Sequence, residues 1–70
     1  MPKIPGISSD EAVRAFKKLG FQVLRQSKHI VMFDGATRLV IPRANPINAY
    51  TMGSIAADAG LSPEEFRRLV

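Results

Sequence analysis

The chain has 70 residues, no cysteine, and a net charge of +4 from ten Lys or Arg against six Asp or Glu. A chain of this length forms one small domain, here residues 1–70, and without cysteine it has neither disulfides nor thiolate metal ligands. No apolar run approaches the ~20 residues of a membrane helix, and the N-terminal MPKIPGISS lacks the apolar stretch of a signal peptide, so we expect a soluble, cytoplasmic protein without membrane contact.

The first predicted element is an amphipathic helix that begins after Ser8. Ser8 and Glu11 have the spacing of a capping box, in which each side chain accepts a hydrogen bond from the other residue's backbone N–H. Gly20 is typical of a residue that ends a helix. The apolar residues between these limits recur at helical spacing and are Ala12, Val13, Phe16 and Leu19.

Three strands are predicted after Gly20, where the apolar pattern changes to a period of two. They cover residues 21–26, 29–33 and 37–41, and Pro42 ends the third. Asp34 and Gly35 lie between the second and third strands. This dipeptide favours a two-residue hairpin turn with positive φ at both central positions.

A loop and a second helix are predicted next. Residues 43–50 have no apolar period and contain an Asn-Pro pair, which is typical of a loop. Thr51 is the predicted N-cap of a helix that runs to Ala59, with Gly60 as its end.

A short terminal helix completes the predicted fold. Ser62-Pro63-Glu64-Glu65 combines an N-cap, a proline at the first helical position and a capping-box glutamate. The order is then helix, three-stranded antiparallel sheet, helix and short C-terminal helix, which is an α+β fold with the helices on one face of the sheet.

The second face of this sheet raises a question. Residues 30–32 and 39–41 are continuous apolar runs, whereas a face open to water predicts strict alternation. Either the strand ends curl under loops, or a second copy or a partner protein covers the face.

The positive charge is concentrated in the middle of the chain. Residues 12–57 carry seven basic side chains against Asp34 alone, a net +6, and each end carries −1. Such a region attracts a polyanion such as nucleic acid through its phosphates. A solvated basic surface that keeps a small domain in solution has the same composition, so charge alone leaves both readings open.

Several short segments occur in an order typical of a known family: GFQVLRQ at 20–26, HIVM at 29–32, VIP at 40–42, TMGSI at 51–55, AGLS at 59–62 and EF at 65–66. On these segments the chain resembles the HicA-type toxins of bacterial HicA–HicB toxin-antitoxin pairs over nearly its whole length. The resemblance implies an mRNA-cleaving protein with a double-stranded-RNA-binding-domain-like fold and a HicB-like antitoxin as partner. Two positions differ from the family's usual pattern: Ser27-Lys28-His29 replaces Gly-Ser-His, and Tyr50 replaces the glycine that opens the second helix.

His29, the only histidine, is the candidate catalytic residue. Cleavage of RNA by its own 2′-hydroxyl needs a base for that proton and an acid for the leaving 5′-oxygen, and an imidazole with an unperturbed pKa near ~6.5 suits either role. The residues alone favour a structural strand histidine, and the resemblance favours a catalytic one. Its partner in proton transfer is Lys28, Ser27, an arginine or water. The chain has no second histidine, carboxylate pair or metal-ligand cluster, which predicts a metal-independent endoribonuclease without a cofactor.

The candidate RNA-binding residues lie on or beside the strands near His29. They are Arg25, Ser27, Lys28, Arg38 and Arg43, and we expect them to hold the RNA backbone without reading bases. Tyr50 is equally consistent with stacking on a base and with partial burial. Lys17 and Lys18 fit an ordinary solvated surface better than an RNA contact.

Two alternative functions remain at this point. The first is an RNA-binding domain without catalytic activity. The second is a helix-turn-helix DNA-binding protein, since residues 52–69 have small and apolar side chains at that motif's positions. Glu64 and Glu65 count against it because they place carboxylates where the recognition helix meets DNA.

Overall fold

The computed structural model describes residues 2–70, and its elements follow the predicted order. They are α1 (Ser9–Lys17), β1 (Gln22–Gln26), β2 (His29–Phe33), β3 (Arg38–Pro42), α2 (Ala49–Asp58) and α3 (Pro63–Arg67). The three strands form one antiparallel sheet in the order β1-β2-β3. α1 packs on β1 and β3, α2 packs on β3, and α3 packs on α2. The α+β fold predicted from the sequence is confirmed.

Both predicted capping boxes are present. The Ser8 hydroxyl accepts a hydrogen bond from the Glu11 N–H at 3.2 Å, and the Ser8 N–H donates to the Glu11 carboxylate at 3.0 Å. Ser62 and Glu65 repeat this pair at the start of α3. The hydrogen bond from the Ser8 backbone lowers the pKa of the Glu11 carboxyl, and that from Ser62 lowers the pKa of Glu65. Local spacing therefore predicted both helix starts correctly.

The side chain of Leu19 is not part of the helical stripe, contrary to prediction. α1 ends at Lys17 with Lys18 as its C-cap, and Leu19 follows the helix with 40% of its surface exposed. The helical period no longer applies once the chain has left the helix.

The turn between β2 and β3 differs from the predicted two-residue turn. Phe33 pairs with Arg38, which leaves residues 34–37 as the loop. Gly35 alone in this loop has a positive φ, at 100°. The Asp34 carboxylate accepts hydrogen bonds from the N–H groups of Ala36 (2.9 Å) and Thr37 (2.6 Å). These bonds lower the pKa of Asp34, and the bond from Thr37 contributes most. They also stabilise a loop of four residues in place of the predicted two-residue turn.

The prediction that Thr51 caps α2 is wrong. Asn48 is the N-cap, and its side-chain oxygen accepts hydrogen bonds from the N–H groups of Tyr50 (3.0 Å) and Thr51 (3.2 Å). α2 therefore begins at Ala49, and Tyr50 lies in its first turn rather than in the loop. Asparagine is as good a cap as threonine, and the choice between them depends on where the preceding loop ends.

An N-terminal segment packs against α2 and the loop before it, a feature that sequence patterns did not predict. Ile4 and Ile7 are buried. The Ile4 N–H donates to the Ala49 carbonyl at 3.0 Å, and the Ile47 N–H donates to the Ile7 carbonyl at 2.7 Å. Two backbone hydrogen bonds and two buried isoleucines thus attach this segment to the body of the domain.

The hydrophobic core lies between the helices and one face of the sheet. Phe16 lies near its centre, with ring centroids 5.8 Å from Phe21 and 5.3 Å from Phe66. Through Phe66, α3 is joined to the same core as α1. The other buried apolar residues are Ile4, Ile7, Ala12, Ala15, Ile30, Met32, Leu39, Ile41, Ile47, Met52, Ile55 and Ala56.

The N-terminal segment makes a close contact with Gly53 inside α2, through Pro2. A Cβ atom at Gly53 would overlap the Pro2 carbonyl group. Replacing a helix-interior glycine by alanine normally stabilises a helix by about 1 kcal/mol. For Gly53→Ala we expect the opposite sign, a lower midpoint in thermal unfolding, because the new methyl group displaces the segment that contains Ile4. Ser54→Ala, at an exposed position of the same helix, is the control and should change the midpoint little. A higher midpoint for Gly53→Ala would contradict the close approach of the segment.

Candidate functional site

His29 is the first residue of β2, at the edge of the open face of the sheet. It pairs with Pro42 of β3, and the next pair along the strands is Ile30 with Ile41. Both isoleucines are buried against the helices. Because successive strand residues point to opposite faces, His29 points away from the core, and its side chain is exposed. The imidazole is therefore accessible to a ligand.

The β1–β2 turn brings three of the predicted RNA-binding residues to His29. The Ser27 N–H donates to the His29 carbonyl at 3.1 Å, and Lys28 lies between these two residues. Arg25 pairs with Val31, which makes it the diagonal neighbour of His29 across the two strands, at roughly 7–8 Å. The backbone thus places Ser27, Lys28 and Arg25 at positions that neighbour the exposed His29.

Arg43 has a role that the sequence did not reveal. Its Nε donates to the Ser27 carbonyl at 2.7 Å, and its Nη2 approaches the Gln26 side-chain oxygen at 3.4 Å. Arg43 directly follows β3, so it ties the end of that strand to the turn before His29. A guanidinium has five N–H donors, so three of those of Arg43 are left for an anion. The sequence carries no signal for this contact, because it depends on the path of the loop after Pro42.

Arg38 lies apart from the other predicted residues. It pairs with Phe33, the last residue of β2, whereas His29 is the first. The two positions are four residue steps apart along the strand, or roughly 13 Å. Arg38 shares the open face with His29 but lies too far away to contact the same phosphate group.

The open face is apolar between these two ends. Exposed fractions are 58% for Leu24, 49% for Val40 and 36% for Phe33, and Val31 is partly exposed. Burial alternates along the apolar runs of β2 and β3. Ile30, Met32, Leu39 and Ile41 point into the core, and the residues next to them point to the open face. We call the group Leu24, Val31, Phe33 and Val40 the apolar patch. No segment within residues 2–70 covers it, so the strand ends do not curl under loops.

The chemical groups at the site suit proton transfer and phosphate binding. In the part of the chain that the structure describes, no group of three or more His, Cys, Asp or Glu side chains could hold a metal ion. Asp34, the one acidic residue of the basic middle region, lies in the β2–β3 turn, at the end of the sheet opposite His29. The site therefore offers an imidazole for proton transfer and cations for phosphate binding.

Tyr50 and α3 bear on the remaining predictions. Tyr50 is 52% exposed in the first turn of α2, and the Lys3 ammonium lies 5.9 Å from its ring centroid. Stacking of Tyr50 on RNA stays a prediction.

α3 has five residues and is fixed to the core by the buried Phe66. A helix this short, with glutamates as its second and third residues, makes a poor recognition helix for DNA.

The chain matches the model of a known protein family. A family model described as the HicA toxin of bacterial toxin-antitoxin matches residues 9–61, which is more than half of the chain. The matched range runs from α1 to beyond the end of α2 and contains His29 and its neighbours. No curated protein and no solved structure matches the chain significantly. Among residues 2–70, no helix has the length and apolar character needed to cross a membrane.

The Arg43 contact can be tested without any knowledge of the ligand. Arg43→Ala removes the two hydrogen bonds to the turn, and we expect the Ser27 amide to exchange with solvent faster, by an amount that corresponds to about 1 kcal/mol. Amide exchange measured by NMR gives this value. Arg38→Ala removes the same charge at the far end of the sheet and should leave Ser27 unchanged. Equal effects of the two variants would show that Arg43 does not hold the turn.

Proposed function

The chain belongs to the HicA toxin family of bacterial toxin-antitoxin systems, and on this basis we propose that it is an endoribonuclease that cleaves messenger RNA without a metal ion. The observation that carries the proposal is the exposed imidazole of His29 at the start of β2, directly after Lys28 and diagonally across from Arg25. A buried His29 would have been unable to reach a substrate. Messenger RNA lies in the cytoplasm, and we expect the protein to act there.

In this mechanism His29 transfers a proton to or from the reacting RNA backbone. The ribose 2′-oxygen attacks the adjacent phosphorus, the bond from phosphorus to the 5′-oxygen breaks, and the products are a cyclic phosphate and a 5′-hydroxyl. His29 acts either as the base that takes the 2′-hydroxyl proton or as the acid that protonates the 5′-oxygen. Lys28, Ser27, Arg25 or a water molecule serves in the other role.

The cationic side chains position the RNA and stabilise its charge. On this proposal Arg25 and Lys28, the neighbours of His29, hold the phosphate that reacts and stabilise the extra negative charge of the transition state, and the remaining N–H groups of Arg43 hold an adjacent phosphate. Arg38, at the other end of the sheet, binds a phosphate further along the RNA strand. Such contacts bind the backbone of any sequence and weaken steeply with salt.

His29→Ala is the direct test of catalysis. We expect the cleavage rate of a single-stranded RNA to fall by about 10²–10⁴-fold, the usual contribution of a general acid or base, while affinity for the RNA changes little. Gln22→Ala is the control, because Gln22 is an exposed sheet residue that pairs with Phe33, far from His29. Cleavage by the wild type should persist in excess EDTA.

Two outcomes would refute the catalytic assignment. Equal cleavage by the wild type and His29→Ala, at equal amounts of folded protein, would remove His29 from the mechanism. If the wild type retards RNA in a gel with strong salt dependence but leaves it uncut, the protein is an RNA-binding domain without catalytic activity.

The HicA family implies a cognate HicB antitoxin, and we propose that it binds the apolar patch and covers His29. An apolar patch on an open sheet face is typical of a protein-binding surface. Arg25 and Arg38 lie at its edges, so a partner with carboxylates around an apolar centre would match it. Such a partner would exclude RNA from His29 by occupying the same face.

Val40→Asp tests this interface. A carboxylate in the apolar patch should weaken binding of the antitoxin by at least tenfold, because it would be desolvated without a partner. Isothermal titration calorimetry with the purified antitoxin measures the change. Ser54→Asp, on the exposed side of α2, is the control and should bind normally. Undiminished binding of a folded Val40→Asp variant would place the antitoxin elsewhere.

A further inference from the structure

A cleft lies on the helix side of the β1–β2 turn, behind His29. Its volume is about 300 Å³, and it is lined by Asp10, Val13, Arg14, Gln26, Ile30 and Arg43. Gln26 and Ile30 are paired across the strands, and Ile30 directly follows His29. The cleft and the imidazole therefore lie on opposite sides of the same turn.

The lining of the cleft fits one nucleotide. Arg14 and Arg43 against Asp10 leave a net charge of +1, which favours an anion. The half-buried Val13 and the almost fully buried Ile30 form an apolar floor suited to a ribose or a base. Guanidinium groups bind phosphate and also stack on bases. The volume is at the small end of the range for ligand pockets.

We infer that this cleft binds the nucleotide next to the one whose phosphate meets His29, so that the RNA passes over the β1–β2 turn. The inference rests on the proposed function. It makes Arg14 a positioning residue that contacts the RNA backbone, and it gives Arg43 two tasks, to hold the turn and to complete the cleft. Asp10 opposes binding through its charge.

A purely structural role of Arg14 predicts different results. Arg14 follows Asp10 by four residues and Glu11 by three in α1, spacings at which opposite charges interact on a helix. Under that role, the loss of either partner weakens the helix slightly and leaves RNA binding unchanged. If the cleft binds RNA, the loss of the Arg14 charge should weaken RNA binding and the loss of the Asp10 charge should strengthen it.

The test uses the full chain with His29→Ala, so that the RNA stays intact during binding. Arg14→Gln should weaken binding of a short single-stranded RNA about tenfold and reduce the salt slope by about 0.7, the value for one phosphate contact. Asp10→Asn should strengthen binding. Lys17→Gln is the matched control, since it removes the same charge from the same helix outside this cleft. NMR shifts caused by a nucleoside 5′-monophosphate should centre on Gln26 and Ile30.

Three outcomes would overturn the inference. Equal losses for Arg14→Gln and Lys17→Gln would indicate general charge attraction. Unchanged or weaker binding by Asp10→Asn would remove the cleft from the RNA path, as would nucleotide shifts that avoid Gln26 and Ile30. Failure of the proposed function is distinguishable: a wild type that leaves RNA uncut refutes the nuclease, while the opposite signs at Arg14 and Asp10 would still support the cleft.

Discussion

The pairing register of β2 and β3 determines what this domain presents to its surroundings. Ile30 pairs with Ile41 against the helices, so His29 and Pro42 must point to the open face. A shift of one residue would exchange the two faces, bury the imidazole and expose the core isoleucines. The same hydrophobic burial that holds the sheet to its helices thus keeps His29 accessible.

The position of His29 depends on the turn before it as well as on the pairing register. Strand pairing places the imidazole on the open face, and Arg43 holds the neighbouring backbone by its bond to the Ser27 carbonyl. A catalytic side chain at a strand end is more precisely placed than one in a free loop, provided that the loop beside it is supported. Arg43, in the loop after β3, supplies that support, and on our proposal its remaining N–H donors also bind a phosphate.

Local rules predicted much of the fold. The capping boxes at Ser8 and Ser62 depend only on residues three apart, and β2 was predicted with its observed bounds from its apolar run. The predictions failed where two residues compete for the same role, or where a contact joins residues that are far apart in the sequence. Asn48 and Thr51 are both good caps, and the path of the preceding loop decides between them. The N-terminal segment is fixed by contacts with α2, some forty-five residues further along the chain, which no short pattern encodes.

The candidate site shows the same division. His29 and its neighbours Ser27 and Lys28 were predicted together because they are adjacent in sequence. Arg38 was grouped with them because it lies on a strand of the same sheet, but the register places it at the far end of the open face. The cleft between α1 and the turn combines residues from three parts of the chain, so only the tertiary structure brings Arg14 to Arg43.

The open face carries two kinds of surface that suit different partners. On our proposal the phosphates of RNA are attracted by Arg25 and Lys28, and they gain little from Leu24 or Val40. Burying the apolar patch favours a protein, which can remove these side chains from water. Val31, in this patch, lies two residues from His29 on the same face. On our proposal, a protein that covers Val31 and Val40 therefore reaches the imidazole as well, and inhibition follows from the shared face without any change in the conformation of the toxin.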